Sequence, residues 1–151
     1  MITVDEYLDY CDKALDGFVA IARQLGDRLV NERLDVPGSN TAYGVVTHCT
    51  GVMAWWARQT NLGVVVPRDR DAEFLATGTV DELVVAVESA RQRLHEDARA
   101  AEPGAVPAMP PDHGHDLTET QGEVLLHVYE ELAQHLGQLE VTRDVLLSRN
   151  P

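Results

Sequence analysis

Residues 127–138, HVYEELAQHLGQ, set a glutamate and a histidine four positions apart inside an amphipathic helical pattern. Four residues on a helix advance a side chain by about 40° around the axis, so Glu131 and His135 project from one face on successive turns. With His127 as the origin of a helical wheel, Val124, Leu125, Val128, Leu132, Leu136 and Leu139 fall at roughly 60° to 180°. Glu131 at about 40° borders the apolar face and His135 at about 80° enters it, while His127 lies further out beside Gln134 and Gln138. An ionised carboxylate turned toward a core is costly unless it is paired or bound to a cation. This spacing suits two ligands on one metal ion, and the third ligand must come from another part of the chain.

Working outward, the pattern extends from near Thr118 or Thr120 to just before Asn150, and three further segments share its period. The first, roughly Val4 to Arg33, opens after Thr3 as N-cap, with Asp5 and Glu6 in its first turn. Pro37 and Gly38 separate it from the second, about Thr41 to Leu62, which Ser39 or Asn40 can cap. That segment carries Val45, His48, Val52, Trp55, Trp56 and Gln59 along one stripe. Thr79 and Glu82 form a capping box for the third, which continues to about Ala101 with Leu83, Val84, Val87, Ala90 and Leu94 inward.

The stretches between are dense in Pro, Gly or charge. VVVPRDRDAEF, residues 64–74, reads as a connector with a short helical turn around Asp71 to Leu75. Pro103 to Pro111 holds four prolines and runs into Asp-His-Gly-His, which reads as a long irregular crossing. No strand pattern competes over any length. The expectation is a single all-α domain spanning residues 1–151, a four-helix bundle in which at least one connection crosses over.

The totals exclude other classes. Of 151 residues, 44% are hydrophobic and 25% charged, and 25 Asp plus Glu against 12 Lys plus Arg leave a formal charge of -13. No basic cluster tracks a phosphate backbone, so nucleic acid is not an expected partner. No window approaches the ~20 apolar residues of a membrane span, and no basic-then-apolar signal segment follows Met1, so the expected compartment is the cytoplasm. Cys11 and Cys49 match neither a CxxC motif nor a disulfide framework.

His48, flanked by apolar groups one turn either way, supplies an imidazole on a second helix. Three protein ligands with an open position describe a catalytic rather than a structural zinc-type site. Each element also has a plainer reading: Glu-x-x-x-His as a solvated helix face, His48 as a hydrogen-bonded core histidine. His127 continues the four-residue series as a fourth ligand or a supporting base, and Gln138 can hydrogen-bond a ligand. Cys49 is read as a packed small hydrophobe, His113 and His115 as solvated loop residues, and His95 as part of a charged helix end. Arg68 and Arg70 can hold a polar cofactor or pair with the acids around them. Trp55 and Trp56 line a pocket, fill the core or face a second subunit.

The segments TAYGVVTHCTGVMAWWARQTNLG, VPRDRDAEF and LLHVYEELAQHLGQLEVTRDVL resemble the actinobacterial branch of the DinB-like superfamily. That branch includes the mycothiol S-transferase-like proteins and is similar at this site to mycothiol-dependent maleylpyruvate isomerase. The resemblance spans about Thr41 to Leu147. It implies a four-helix bundle with a long crossover, binding a divalent metal, zinc or nickel, through His48, Glu131 and His135, with HLGQ as the His-x-Gly-Gln signature. Many members carry His where this chain has Glu131; the isomerase-like members accept glutamate. The resemblance further implies a homodimer and a small thiol, mycothiol, as co-substrate for thiol transfer to a small electrophile or for its thiol-dependent isomerisation. Two other readings differ in chemistry: a metal-dependent hydrolase that uses water in place of thiol, and a non-catalytic bundle with a vestigial site whose acidic surface serves protein association.

Overall fold

A computed structural model describes residues 2–110 and 120–149, and every regular element among them is helical. Helix α1 spans Val4–Leu29, α2 Ala42–Met53, α3 Arg70–Leu75, α4 Val80–Ala100 and α5 Gln121–Arg149; α2 continues into a π-helical run over Ala54–Thr60. Capping chemistry fixes the starts. Thr3 with Glu6 and Thr79 with Glu82 form reciprocal capping boxes. Thr120 does the same for α5, its backbone N–H donating to Glu123 and its hydroxyl accepting from the Glu123 N–H.

Three local features depart from the periodic reading. The first helix stops short of Arg33 because Gly26 adopts φ 68°, ψ 174°, a conformation open to glycine but not to L side chains, which breaks the path before a last short turn. The cap of α2 is Thr41, whose hydroxyl accepts from the Gly44 N–H, rather than Ser39 or Asn40. The π-helical run adds about one residue per turn to the spacing and so re-aims Trp55, Trp56 and Gln59 relative to an α-helical wheel.

Cross-helix contacts fix the directions. Asp5–Arg99, Asp12–His95 and Asp16–Arg91 pair α1 antiparallel to α4. Tyr10 meets Tyr129 edge-on, and Gly17 lies against Leu136, so α1 and α5 run parallel. His48 meets His135 and the Trp56 ring meets His127, so α2 and α5 run antiparallel. Helix α2 runs parallel to α4, because Tyr43 lies by Gly78 at their starts and Arg58 pairs with Asp97 at their ends.

Going from the end of α2 to the start of α4 therefore requires residues 61–79 to return the length of the bundle. That is the long crossover, and α3 rides on it, packed against α2. The Pro-rich stretch plays a different part: its described residues stay at one end, where the Ala108 and Met109 N–H groups donate to Asn61 O and Thr60 O, and Gln121 N–H donates to Ala105 O.

One core joins all four long helices. Leu8, Leu15 and Phe18 of α1, Val45 and Val52 of α2, Leu83 and Leu94 of α4, and Val128, Leu132 and Leu139 of α5 are almost fully buried. Truncating one of these leucines to alanine costs about 2–5 kcal/mol, a large share of a marginal stability. Among the described residues no helix is long and apolar enough to cross a membrane.

Candidate metal centre

The α2–α5 seam brings His48, Glu131 and His135 together. One donor atom from each lies within 4.8 Å of the other two. The Nε2 of His48 is 3.8 Å from Glu131 Oε2, and the Nε2 of His135 is 3.4 Å from the same oxygen. These separations exceed a good N–H···O hydrogen bond and leave the three donors facing a common space.

Both imidazoles are anchored from behind. His48 Nδ1 lies 2.8 Å from Glu73 Oε2, and His135 Nδ1 lies 2.8 Å from Gln138 Oε1. Each Nδ1 faces an oxygen acceptor, so a ring that carries its proton there leaves its Nε2 lone pair free for a metal ion. Two imidazole nitrogens and a carboxylate are a donor set that zinc accepts. The set also fits the cation on charge, since Glu131 has no Lys or Arg partner among the described residues. The contact with His135, then that with His48, holds Glu131 below the usual carboxylate range against the opposing effect of burial. Glu131 in turn raises His135 above the ordinary imidazole range.

His127 is more enclosed than its wheel position implies: its side chain is 13% exposed, against 28% for Glu131 and 21% for His135. The Trp56 ring covers it edge-on, with centroids 4.7 Å apart. Its Nε2 stands 3.8 Å from Glu131 Oε1 and its Nδ1 3.4 Å from Glu130 Oε2. Trp56 is buried, whereas Trp55 is half-buried with the Arg68 guanidinium 5.9 Å from its ring.

Of the two connector arginines, Arg68 binds Glu73 through Nε at 2.7 Å and Nη2 at 3.1 Å. Arg70 is exposed at the start of α3, 5.6 Å over the Phe74 ring, and its charge opposes that of a protonated His135. Cys49 is buried, its thiol pushed far up by burial and then by Glu131 and Glu73. Burial pushes the Cys11 thiol up to about 12. His95 belongs to the α1–α4 seam, against Asp12, and His113 and His115 lie outside the described residues.

Glu73 bears out the reading in which a connector arginine pairs with a nearby acid, but its contact with His48 was not foreseen from sequence. It lies in a charged connector, yet it is buried and reaches His48 across 25 positions of sequence. The signals were two helical glycines about a turn from His48: a Cβ at Gly51 would run into the Glu73 carboxylate, and one at Gly44 into the Phe74 backbone.

The family model described as Mycothiol-S-transferase matches residues 6–147. The chain belongs to this DinB-like family. Among curated proteins nothing matches the chain. Membership makes a small-molecule thiol the implied substrate.

Proposed function

We propose that the chain is a divalent-metal-dependent thiol S-transferase that joins mycothiol, or another low-molecular-weight thiol, to a small electrophile. The observation that carries this reading is the convergence of His48 Nε2, His135 Nε2 and a Glu131 oxygen, with both Nδ1 atoms engaged elsewhere. These three residues would hold the metal, zinc by donor type with nickel as the other candidate. The ion would supply Lewis acidity, against which a thiol gives up its proton near neutral pH.

The protein's own groups support an external thiol. Cys11 and Cys49 are buried and held as thiols, so neither is a nucleophile. The sulfur must arrive on a second molecule, as the family implies. His127, beside the unshared side of Glu131, is placed to take up the thiol proton or to fix the carboxylate. With Arg68 occupied by Glu73, we assign contact with a polar co-substrate to Arg70. The sequence reading places this single-domain enzyme in the cytoplasm, and the family resemblance makes it a homodimer.

A second reading rests on the ligand set itself, because two histidines and a glutamate also activate water in metallohydrolases. A panel of electrophiles, assayed with mycothiol and with water alone, each with and without chelator, separates the two. Chelator-sensitive conjugate formation is expected. Chelator-sensitive hydrolysis without conjugate would favour the hydrolase, and a purified protein with neither bound metal nor activity would leave a non-catalytic bundle.

A further inference from the structure

A buried carboxylate is costly unless each of its oxygens is satisfied. Glu73, only 8% exposed, meets this condition entirely within the crossover and α2. Oε1 accepts from Arg68 Nε, and Oε2 accepts from Arg68 Nη2 and from His48 Nδ1. Its neighbour Phe74 stacks on the His48 ring with centroids 4.5 Å apart and planes 24° apart. Two successive residues of α3 thus address one imidazole: Glu73 its proton, Phe74 its plane. Gly51 supplies the room, since any side chain there would displace the carboxylate.

We propose that Glu73 is a positioning residue for His48, and that α3 on the crossover completes the metal centre by locking the protonation site and plane of its most buried ligand. The inference rests on the metal-dependent reading above and assigns a part to a segment that sequence reading treats as a connector. A neutral imidazole carries its single proton on either nitrogen; an ionised carboxylate at Nδ1 accepts only, so the proton stays there and Nε2 keeps its lone pair. The α5 ligand obtains the same service from its own helix, through Gln138, three residues on. Helix α2 offers His48 no such partner, so the crossover provides it.

The test uses the full chain and zinc(II), titrated in competition with a chromophoric chelator, beside ring-nitrogen NMR of His48 in the metal-free protein. Glu73→Gln is expected to weaken zinc binding about 10- to 100-fold, the usual range for a partner behind a metal-bound histidine. It is also expected to redistribute the His48 proton between Nδ1 and Nε2, a change that loss of packing alone would not produce. Glu73→Asp keeps the charge on a shorter arm and should recover part of the affinity; it serves as the working variant if Glu73→Gln does not fold. Wild-type zinc affinity together with an unchanged Nδ1–H signal in Glu73→Gln would overturn the inference and leave the metal reading standing. A wild-type protein that takes up neither zinc nor nickel would overturn the metal reading itself, and the NMR signal would still report whether Glu73 sets the ring.

Discussion

The two polar seams of the bundle use the same residue types to opposite ends. Between α1 and α4, each acid is met by a cation: Asp12 accepts from His95 Nε2 at 3.0 Å and from Arg91 at 3.3 Å, Asp16 pairs with Arg91 at 2.6 Å, and Asp5 with Arg99 at 3.2 Å. Between α2 and α5, Glu131 faces three imidazoles at 3.4–3.8 Å and no guanidinium among the described residues. The first seam is closed by direct ion pairs and, among the described residues, has no unshared donor set to offer. In the second, the close contacts point away from the centre, at 2.8 Å behind His48 and His135, and the long ones point into it. A histidine beside a carboxylate is therefore not by itself a metal signal. What separates the seams is whether the short hydrogen bond lies between the pair or behind it.

The strongest way to break this distinction is to delete a ligand on each side. His48→Ala or His135→Ala should lower zinc affinity by more than about 100-fold, beyond the range for supporting residues. His95→Ala, and likewise His113→Ala in the Pro-rich stretch, should leave it unchanged. Equal losses from all four, read by the same chelator competition, would mean that zinc is not held at the α2–α5 seam.

Acid should act on the two seams differently. His135 is raised above the ordinary imidazole range by Glu131, so in the metal-free protein it gains its proton at a higher pH than a free histidine. Metal must displace that proton, and zinc affinity should fall about tenfold per pH unit once pH drops through this range. The same shift stabilises the metal-free fold, and the sign is fixed: a raised His135 contributes fully below its unfolded value and loses the contribution as pH rises through the folded one. The lowered Glu131 contributes above the ordinary carboxylate value and loses it as pH falls through its folded value. The pair thus favours the metal-free protein most between about pH 4.5 and 6.5, and zinc binding is the stronger support above that window. Zinc affinity that is flat from pH 5 to 8 would show that His135 is not a ligand.

Helices and caps were legible because they are local. Thr3-x-x-Glu6 and Thr79-x-x-Glu82 read as capping boxes and form them, and the short turn before Leu75 is present as α3. The spacing of Glu131 and His135 put them on one face for the same reason. Long-range features were not legible. A wheel drawn on one helix cannot show that the Trp56 ring of another helix covers His127; nothing in RDRDAEF says that its glutamate is buried, because the imidazole that stabilises it lies 25 residues earlier. Which connector runs the length of the bundle also depends on packing. Proline density drew attention to residues 103–111, whereas the directions of α2 and α4 impose that path on residues 61–79.

The closed seam should answer to stability and to nothing else. Asp12→Ala removes an acceptor shared by His95 and Arg91, both partly buried, and should cost about 1 kcal/mol, the upper end for such pairs. For a chain of this size that lowers Tm by roughly 2–4 °C. Zinc affinity should not move, and a parallel loss of both in calorimetry and titration would mean that the two seams are coupled through α5 rather than independent.

The smallest effect sharpens the comparison at the open seam. Gly137 sits in the middle of α5, within the His-Leu-Gly-Gln signature, at an exposed position where a Cβ would meet nothing within 4 Å among the described residues. A glycine inside a helix costs roughly 0.5–1 kcal/mol relative to alanine, and no packing in the described fold requires one here. Gly137→Ala should therefore raise stability by about 0.5–1 kcal/mol and leave zinc affinity as it is, because neither Nε2 nor its Nδ1 partner is touched. Thiol transfer by the same variant then reads what stability cannot. Unchanged turnover would mark the glycine as idle in this chain, whereas a loss of turnover from a stabler, fully metallated protein would show that a substrate or a second copy approaches the α5 backbone beside the ligands. A drop in stability would contradict the open position itself.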